Sequence, residues 1–255
     1  MICIPITAER TGTAIEMMER ATPLADLVEF RIDRMQNPEM ERLLGAARTP
    51  VIVTNRRRDE GGGFSGTEEE RVAFLVEAAR LGADYVDIET ETAPALKEEL
   101  RQVCARSKTK RIASWHDFSG TPPAAFLKMK LAACMADGPD IVKIVTLADD
   151  ATDGLRILEL IPYARQRGQA VIAFCMGKTG RISRIMAPLL GSAISYASLE
   201  PEEASAPGQL TARRMREIFR VLRDLVPAAA EYPLETHLSG KGSAKEGRGI
   251  AREFE

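Results

Sequence analysis

With 255 residues, 45% of them hydrophobic and 28% charged, the chain holds enough apolar material for one large α/β core, which excludes a disordered or fibrous polymer. Its 35 basic and 37 acidic side chains leave a formal net charge of −2, which excludes a global field for nucleic acid or an anionic membrane; an anionic ligand would need locally placed arginines. No apolar run approaches the roughly 20 residues of a membrane helix, and the opening MICIPITAER lacks a basic stretch leading into a long apolar one, so a soluble, cytoplasmic protein is expected.

The first candidate strand is Ile2–Ile6, followed by Leu27–Ile32, Val51–Thr54, Tyr85–Ile88, Arg111–Trp115, Ile141–Val145, Ala170–Phe174 and Ala193–Ala197. Amphipathic stretches separate them. Thr67–Leu81 is one, with Val72, Leu75, Val76 and Ala79 on one helical face and a Thr67/Glu70 capping box at its start. Pro122 and Pro123 open a later helix, and Thr211–Leu225 forms the last. Eight strands each followed by a helix, over about 225 residues, predict a (β/α)8 TIM barrel. A single domain over residues 1–232 is expected, since no internal linker interrupts it. An open doubly wound sheet is the alternative, but no strand runs into G-x-G-x-x-G, and the glycines after the third strand (Gly61, Gly62, Gly63 and Gly66) have the wrong spacing for a dinucleotide cradle. Cys3 and Cys175 fall in strand-like runs, Cys104 and Cys134 in helical ones; with no C-x-x-C pair and no neighbouring histidine, buried free thiols and no metal site are expected. Residues 233–255 are polar, glycine-rich and without hydrophobic period, which predicts a disordered tail.

In a barrel of this kind chemistry lies at the carboxyl ends of the strands. The second strand ends with Glu29, Arg31 and Asp33 alternating onto one face, either as an ion pair closing the barrel end or as a clamp for ligand hydroxyls. The third runs into Arg56, Arg57, Arg58, Asp59 and Glu60, where at least one or two arginines are expected to face solvent. Asp87 and Glu89 share a face of the fourth. His116, one of two histidines in the chain, lies at the end of the fifth. On the sixth, Lys143 is centred in the apolar run Ile141–Val145, a place where a lysine is rarely tolerated without a purpose. Alternation turns it toward the barrel axis if Val142 and Ile144 pack on the helices. Desolvation there, with arginines nearby, would favour the neutral amine that attacks a carbonyl. After the seventh strand, Met176–Arg184 joins glycines to Arg181 and Arg184 at a helix start, a setting for a carboxylate or phosphate. After the eighth, Glu200–Gln209 forms a long loop able to act as a lid.

These positions together resemble the type I 3-dehydroquinate dehydratases. The matching motifs are E-F-R-x-D at Glu29–Asp33, R-x-x-x-E-G-G at Arg56–Gly62, S-x-H-D-F at Ser114–Phe118, V-K-I at Val142–Ile144, M-G-K-T-G-x-x-S-R at Met176–Arg184 and S-A-P-G-Q at Ser205–Gln209. The six occur in the family's order and the resemblance spans roughly residues 1–225. It implies a (β/α)8 barrel that removes water from 3-dehydroquinate by syn elimination in the shikimate pathway. Lys143 would form a Schiff base with the substrate ketone, His116 would move protons and Glu60 would orient His116. Arg184, Ser205 and Gln209 would hold the substrate carboxylate; Glu29, Arg31 and Arg56 would bind ring hydroxyls; Met176 would pack on the ring. The resemblance implies no cofactor and a homodimer. The physics is consistent with these roles: a protonated imine supplies the electron sink that a proton beside a ketone needs in order to leave. Another Schiff-base barrel lyase, such as an aldolase, is the alternative, and a non-catalytic barrel would leave Lys143 and His116 unexplained.

Overall fold

The computed structural model describes residues 1–223. The strands are β1 (Ile2–Ile6), β2 (Leu27–Arg31), β3 (Val51–Thr54), β4 (Tyr85–Glu89), β5 (Lys110–Asp117), β6 (Ile141–Leu147), β7 (Ala170–Met176) and β8 (Ser195–Tyr196). The helices are α1 (Thr11–Ala21), α2 (Met40–Ala46), α3 (Glu68–Arg80), α4 (Pro94–Ser107), α5 (Ala124–Ala136), α6 (Ala151–Leu158), α7 (Leu160–Arg165), α8 (Gly177–Leu190) and α9 (Ala212–Arg223). All neighbouring strands pair in parallel, in the order β7-β6-β5-β4-β3-β2-β1-β8. The amide of Ala193, just before β8, donates to the Val171 carbonyl of β7 at 2.8 Å and draws the two ends of the sheet together. The result is the expected (β/α)8 barrel. The expected tail, residues 233–255, lies outside the described residues, as does Leu225 at the end of the predicted last helix.

Local sequence accounts for the elements. Thr67 Oγ1 accepts from the Glu70 amide and Glu70 Oε2 accepts from the Thr67 amide, so the predicted capping box starts α3, with Glu68, Glu69 and Glu70 in its first turn. Two details differ from the regular strand–helix alternation. The segment after β6 breaks into α6 and α7 at Glu159, because Pro162 has no N–H to give to a carbonyl one turn back. Strand β8 is shorter than Ala193–Ala197, because only β1 supplies it with a regular ladder. Cys3, Cys104, Cys134 and Cys175 are buried and unbridged, as expected. No helix among the described residues is long and apolar enough to cross a membrane.

The barrel interior is layered. Cys3, Ile52, Ile112 and Ile172 come from the odd strands and are buried in an apolar cluster with Leu27, Tyr85 and Ile141 of the even strands. Two positions further along the even strands stand Glu29, Asp87, Lys143 and Tyr196. Lys143 meets the other three, which only side chains pointing at a common axis can do. Val142 and Ile144, its strand neighbours, are buried on the opposite, helix-facing side.

Candidate active site

All ten residues singled out as catalytic or substrate-contacting line one cavity of about 210 Å³ at the carboxyl end of the strands. Lys143 is 5% exposed, and its Nζ donates to Asp87 Oδ2 at 3.0 Å. Glu29 Oε1 is 3.6 Å away and also accepts from Thr54 Oγ1 at 2.7 Å. The Tyr196 ring lies 4.4 Å from the same nitrogen. Arginines were expected near the amine; Arg56 is near, one carboxylate back, and the immediate charged neighbours are carboxylates.

The arginine run after β3 separates as the spacing implied. Arg56 is buried, with Nη1 donating to Glu89 and to Ser114 Oγ and Nη2 to Asp87. Arg57 turns outward onto Asp59, and Arg58 is exposed. Gly62 makes this possible: a Cβ there would lie 1.9 Å from the Arg56 carbonyl oxygen. The chain can therefore fold back over Arg56 and bring Glu60 inward, which gives R-x-x-x-E-G-G its physical meaning.

Glu60 Oε2 accepts from the His116 amide at 3.0 Å and lies 2.9 Å from His116 Nδ1. One carboxylate oxygen thus anchors both the backbone and the ring of His116, and Nε2 is left for the cavity. Burial pushes the Glu60 carboxyl up to about 8, against the pull of Arg56. Burial, then Arg56 and Lys143, hold His116 well below its ordinary value, so its ring is neutral near pH 7.

On the β2 face the ion pair is present, while Glu29 and Arg31 also border the cavity. Asp33 takes Arg31 in a two-pronged pair at 2.8 and 2.9 Å and accepts from the Gly63 amide at 3.0 Å. Strand alternation ends at Ile32, where a short 3-10 turn begins, so Asp33 supports Arg31 from behind while Arg31 reaches the cavity.

Arg184 is the unusual cation. It is 1% exposed, has no carboxylate partner among the described residues, and stacks 4.4 Å from the Phe174 ring. Its Nε has no hydrogen-bond partner, while Nη2 donates to the Pro207 carbonyl at 3.4 Å. Burial without a counter-charge pulls its guanidinium down to about 10. Such a group calls for an anion. Across from it, the Gln209 side chain accepts from the Ser205 amide at 2.8 Å and donates to Ser205 Oγ at 3.1 Å, tying the loop ends into one polar cap. Gly208 (φ +80°) seats that loop, since a Cβ there would lie 2.0 Å from the Gly177 carbonyl oxygen.

The sequence reading gave no role to Asp87, Tyr196, Phe174 or Phe118, all of which border Lys143 or the cavity. For Asp87 the signal was present in its alternation with Glu89. For Tyr196 it was strand parity, two residues after Ile194.

A family model described as type I 3-dehydroquinase matches residues 2–226. A 3-dehydroquinate dehydratase of Desulfotalea psychrophila is 37% identical over 218 residues, covering 86% of this chain and 96% of the relative. One of Dehalococcoides mccartyi is 42% identical over 219 residues, covering 86% and 94%. The crystal structure of the Geobacillus kaustophilus 3-dehydroquinate dehydratase superposes with a TM-score of 0.82 at 27% identity, covering 89% of this chain and 92% of that one.

Proposed function

The chain belongs to the type I 3-dehydroquinase family, and from that membership we propose that it is a 3-dehydroquinate dehydratase, a hydro-lyase acting through an imine on Lys143. The observation that carries this reading is the convergence on one cavity of a buried amine, an oriented neutral histidine and a buried arginine without a counter-charge among the described residues.

Lys143 Nζ attacks the ketone, and loss of the carbonyl oxygen as water leaves a protonated imine. His116 Nε2 takes the C2 proton while the C–H electron pair flows toward the imine nitrogen. The pair then returns as the C1 hydroxyl leaves with a proton from His116. Hydrolysis of the imine frees 3-dehydroshikimate and restores the lysine. Arg184, with Ser205 and Gln209, holds the ring carboxylate; Glu29, Arg31 and Arg56 take ring hydroxyls; and Met176 lies against the ring. The imine is itself the electron sink, so no cofactor enters. The reaction is placed in the shikimate route to aromatic amino acids, and the same reading carries a cytoplasmic homodimer, which sedimentation analysis checks: a monomer at all concentrations would remove that part. The test of the whole is incubation with 3-dehydroquinate, alone and with borohydride. Dehydroshikimate should form without reductant, and with it the adduct should map to Lys143; absence of both sinks the reading.

Arg184→Met is expected to raise KM about 10- to 100-fold, the loss of one charge-assisted pair with a carboxylate, and to change kcat far less. An unchanged KM would move the carboxylate elsewhere in the cavity.

The Glu60–His116 pair sets the pH profile. Below about pH 8 the pair carries a surplus proton, and above it Glu60 is ionised, Nδ1–H donates to it and Nε2 is a free base. kcat/KM should therefore rise with pH through that region. In Glu60→Gln the titrating carboxyl is gone and the remaining limb belongs to His116, whose depressed pKa places it on the acid side. The variant should be about tenfold or more slower, with a limb shifted to lower pH. A limb that stays in place would assign it to another group.

A further inference from the structure

Lys143 donates into a built line of charge. Asp87 is fully buried, and both of its oxygens are engaged: Oδ2 accepts from Lys143 Nζ at 3.0 Å and from Arg56 Nη2 at 2.7 Å, and Oδ1 accepts from Ser114 Oγ at 2.6 Å. Behind it, Arg56 Nη1 reaches Glu89 at 2.7 Å, Glu89 pairs with Arg71 at 2.6 Å, and Arg71 pairs with Glu68 at 2.8 Å, where the line meets the surface. The charged or titratable groups facing Asp87 are thus Arg56 and Glu60 after β3, His116 on β5, Lys143 on β6 and Tyr196 on β8, with Glu89 on its own strand. Glu29 of β2 is the other carboxylate near Nζ, but it is further away, at 3.6 Å. Burial alone would neutralise Asp87; Arg56 and Lys143 hold it well below the usual carboxylate range, which favours the ionised carboxylate.

We propose that Asp87 is the catalytic counter-charge of the imine, accepting the N–H of the protonated imine on Lys143 and keeping that nitrogen protonated throughout the elimination. The inference rests on the imine reading above. Of the three ammonium hydrogens of Lys143, two leave with the ketone oxygen as water and one stays on nitrogen, in the direction already aimed at Oδ2. When His116 removes the C2 proton, the C–H pair neutralises the nitrogen as an enamine, still hydrogen-bonded to Asp87. As the hydroxyl departs with a proton from His116, the pair returns and the positive charge reappears beside Asp87. Without the Asp87 carboxylate, that charge would keep only the more distant Glu29 against the Arg56 guanidinium, and the imine would shed its proton more readily and lose power as an electron sink.

Two reductants separate the steps: borohydride reduces an imine in either protonation state, whereas cyanoborohydride near neutral pH reduces only the protonated form. With 3-dehydroquinate, both should trap Lys143 in the native enzyme. In Asp87→Asn the borohydride adduct should stay within about threefold of native, while the cyanoborohydride adduct and kcat should both fall by about 100-fold or more, each recovering in part, relative to native at the same pH, as pH is lowered. Asp87→Glu should regain part of both losses. Glu89→Gln, which leaves the Nζ contact in place, should lose both adducts equally if it loses any. An Asp87→Asn protein that keeps kcat within about threefold, or loses both adducts in parallel, overturns the proposal and makes Asp87 a seat for the lysine side chain. The native enzyme supplies a test independent of variant folding: the ratio of the two adducts should hold constant well into the alkaline range, and a fall near neutrality also overturns it. Absence of any native adduct on Lys143 would instead remove the imine reading itself.

Discussion

Lys143→Ala is expected to lower turnover by at least about 10⁴-fold and to abolish borohydride trapping by 3-dehydroquinate. The size follows from the kind of step that is lost. Removing a proton beside an unactivated ketone leaves a carbanion with only the carbonyl oxygen to receive its charge, whereas a protonated imine offers a full positive charge at the same position. No other lysine can substitute, because Lys143 is the only lysine lining the cavity among the described residues. Lys178 is exposed at the start of α8. The substitution also removes the cation facing Glu29 and Asp87, so a thermal melt must accompany it to separate lost chemistry from lost folding. Asp87 keeps Arg56 as a partner and Glu29 keeps Thr54, so the barrel is expected to fold. A trapped adduct at some other residue, with turnover retained, would sink the assignment.

His116→Ala should lower kcat by about 10²- to 10⁴-fold, the usual worth of a positioned acid–base group, yet leave imine formation intact. The two effects part because the nucleophile and the proton carrier are separate groups of one cavity. The Lys143 amine is held by Asp87 and Glu29, and His116 by Glu60. Removing the ring leaves the lysine's own partners in place. Mixed with 3-dehydroquinate, the variant should accumulate an imine that borohydride traps, in greater amount than in the native enzyme at steady state, because the step that consumes it is slow. Rates close to native would show that another group moves the proton. A variant that forms no imine would mean that His116 is needed already for attack on the ketone.

Much of the site is legible in the sequence. Lys143 was conspicuous because a charge in an apolar strand is costly. His116 was legible because barrel chemistry gathers at strand ends; Glu60 and Arg184 took their roles from the family motifs in which they fall. The choice of Arg56 over Arg57 and Arg58 rested on spacing to Glu60, and the structure supplies its cause in Gly62, whose lack of a side chain lets the loop fold back on Arg56. Asp33 was read as part of a strand face, but the backbone leaves the strand at Ile32, so its carboxylate braces Arg31 from behind. An arginine was expected near Lys143 and Arg56 is there, but strand alternation shows only which way a side chain points, so the carboxylate between them, Asp87, was given no role.

The sequence by itself determined the elements and their faces. Period-two runs, the α3 capping box, and proline and glycine at turns all act within a few residues, so their physics is local. It also determined which residues could do chemistry. Only the closed barrel decided how those residues pair. Glu29, Asp87, Lys143 and Tyr196 are far apart in the chain, and they form one layer because the strands tilt and stagger on closing, a global condition that no local pattern encodes. The same closure buries Arg184 without a counter-charge among the described residues and ties Lys143, through Asp87 and Arg56, to a line of charge that reaches the surface at Glu68.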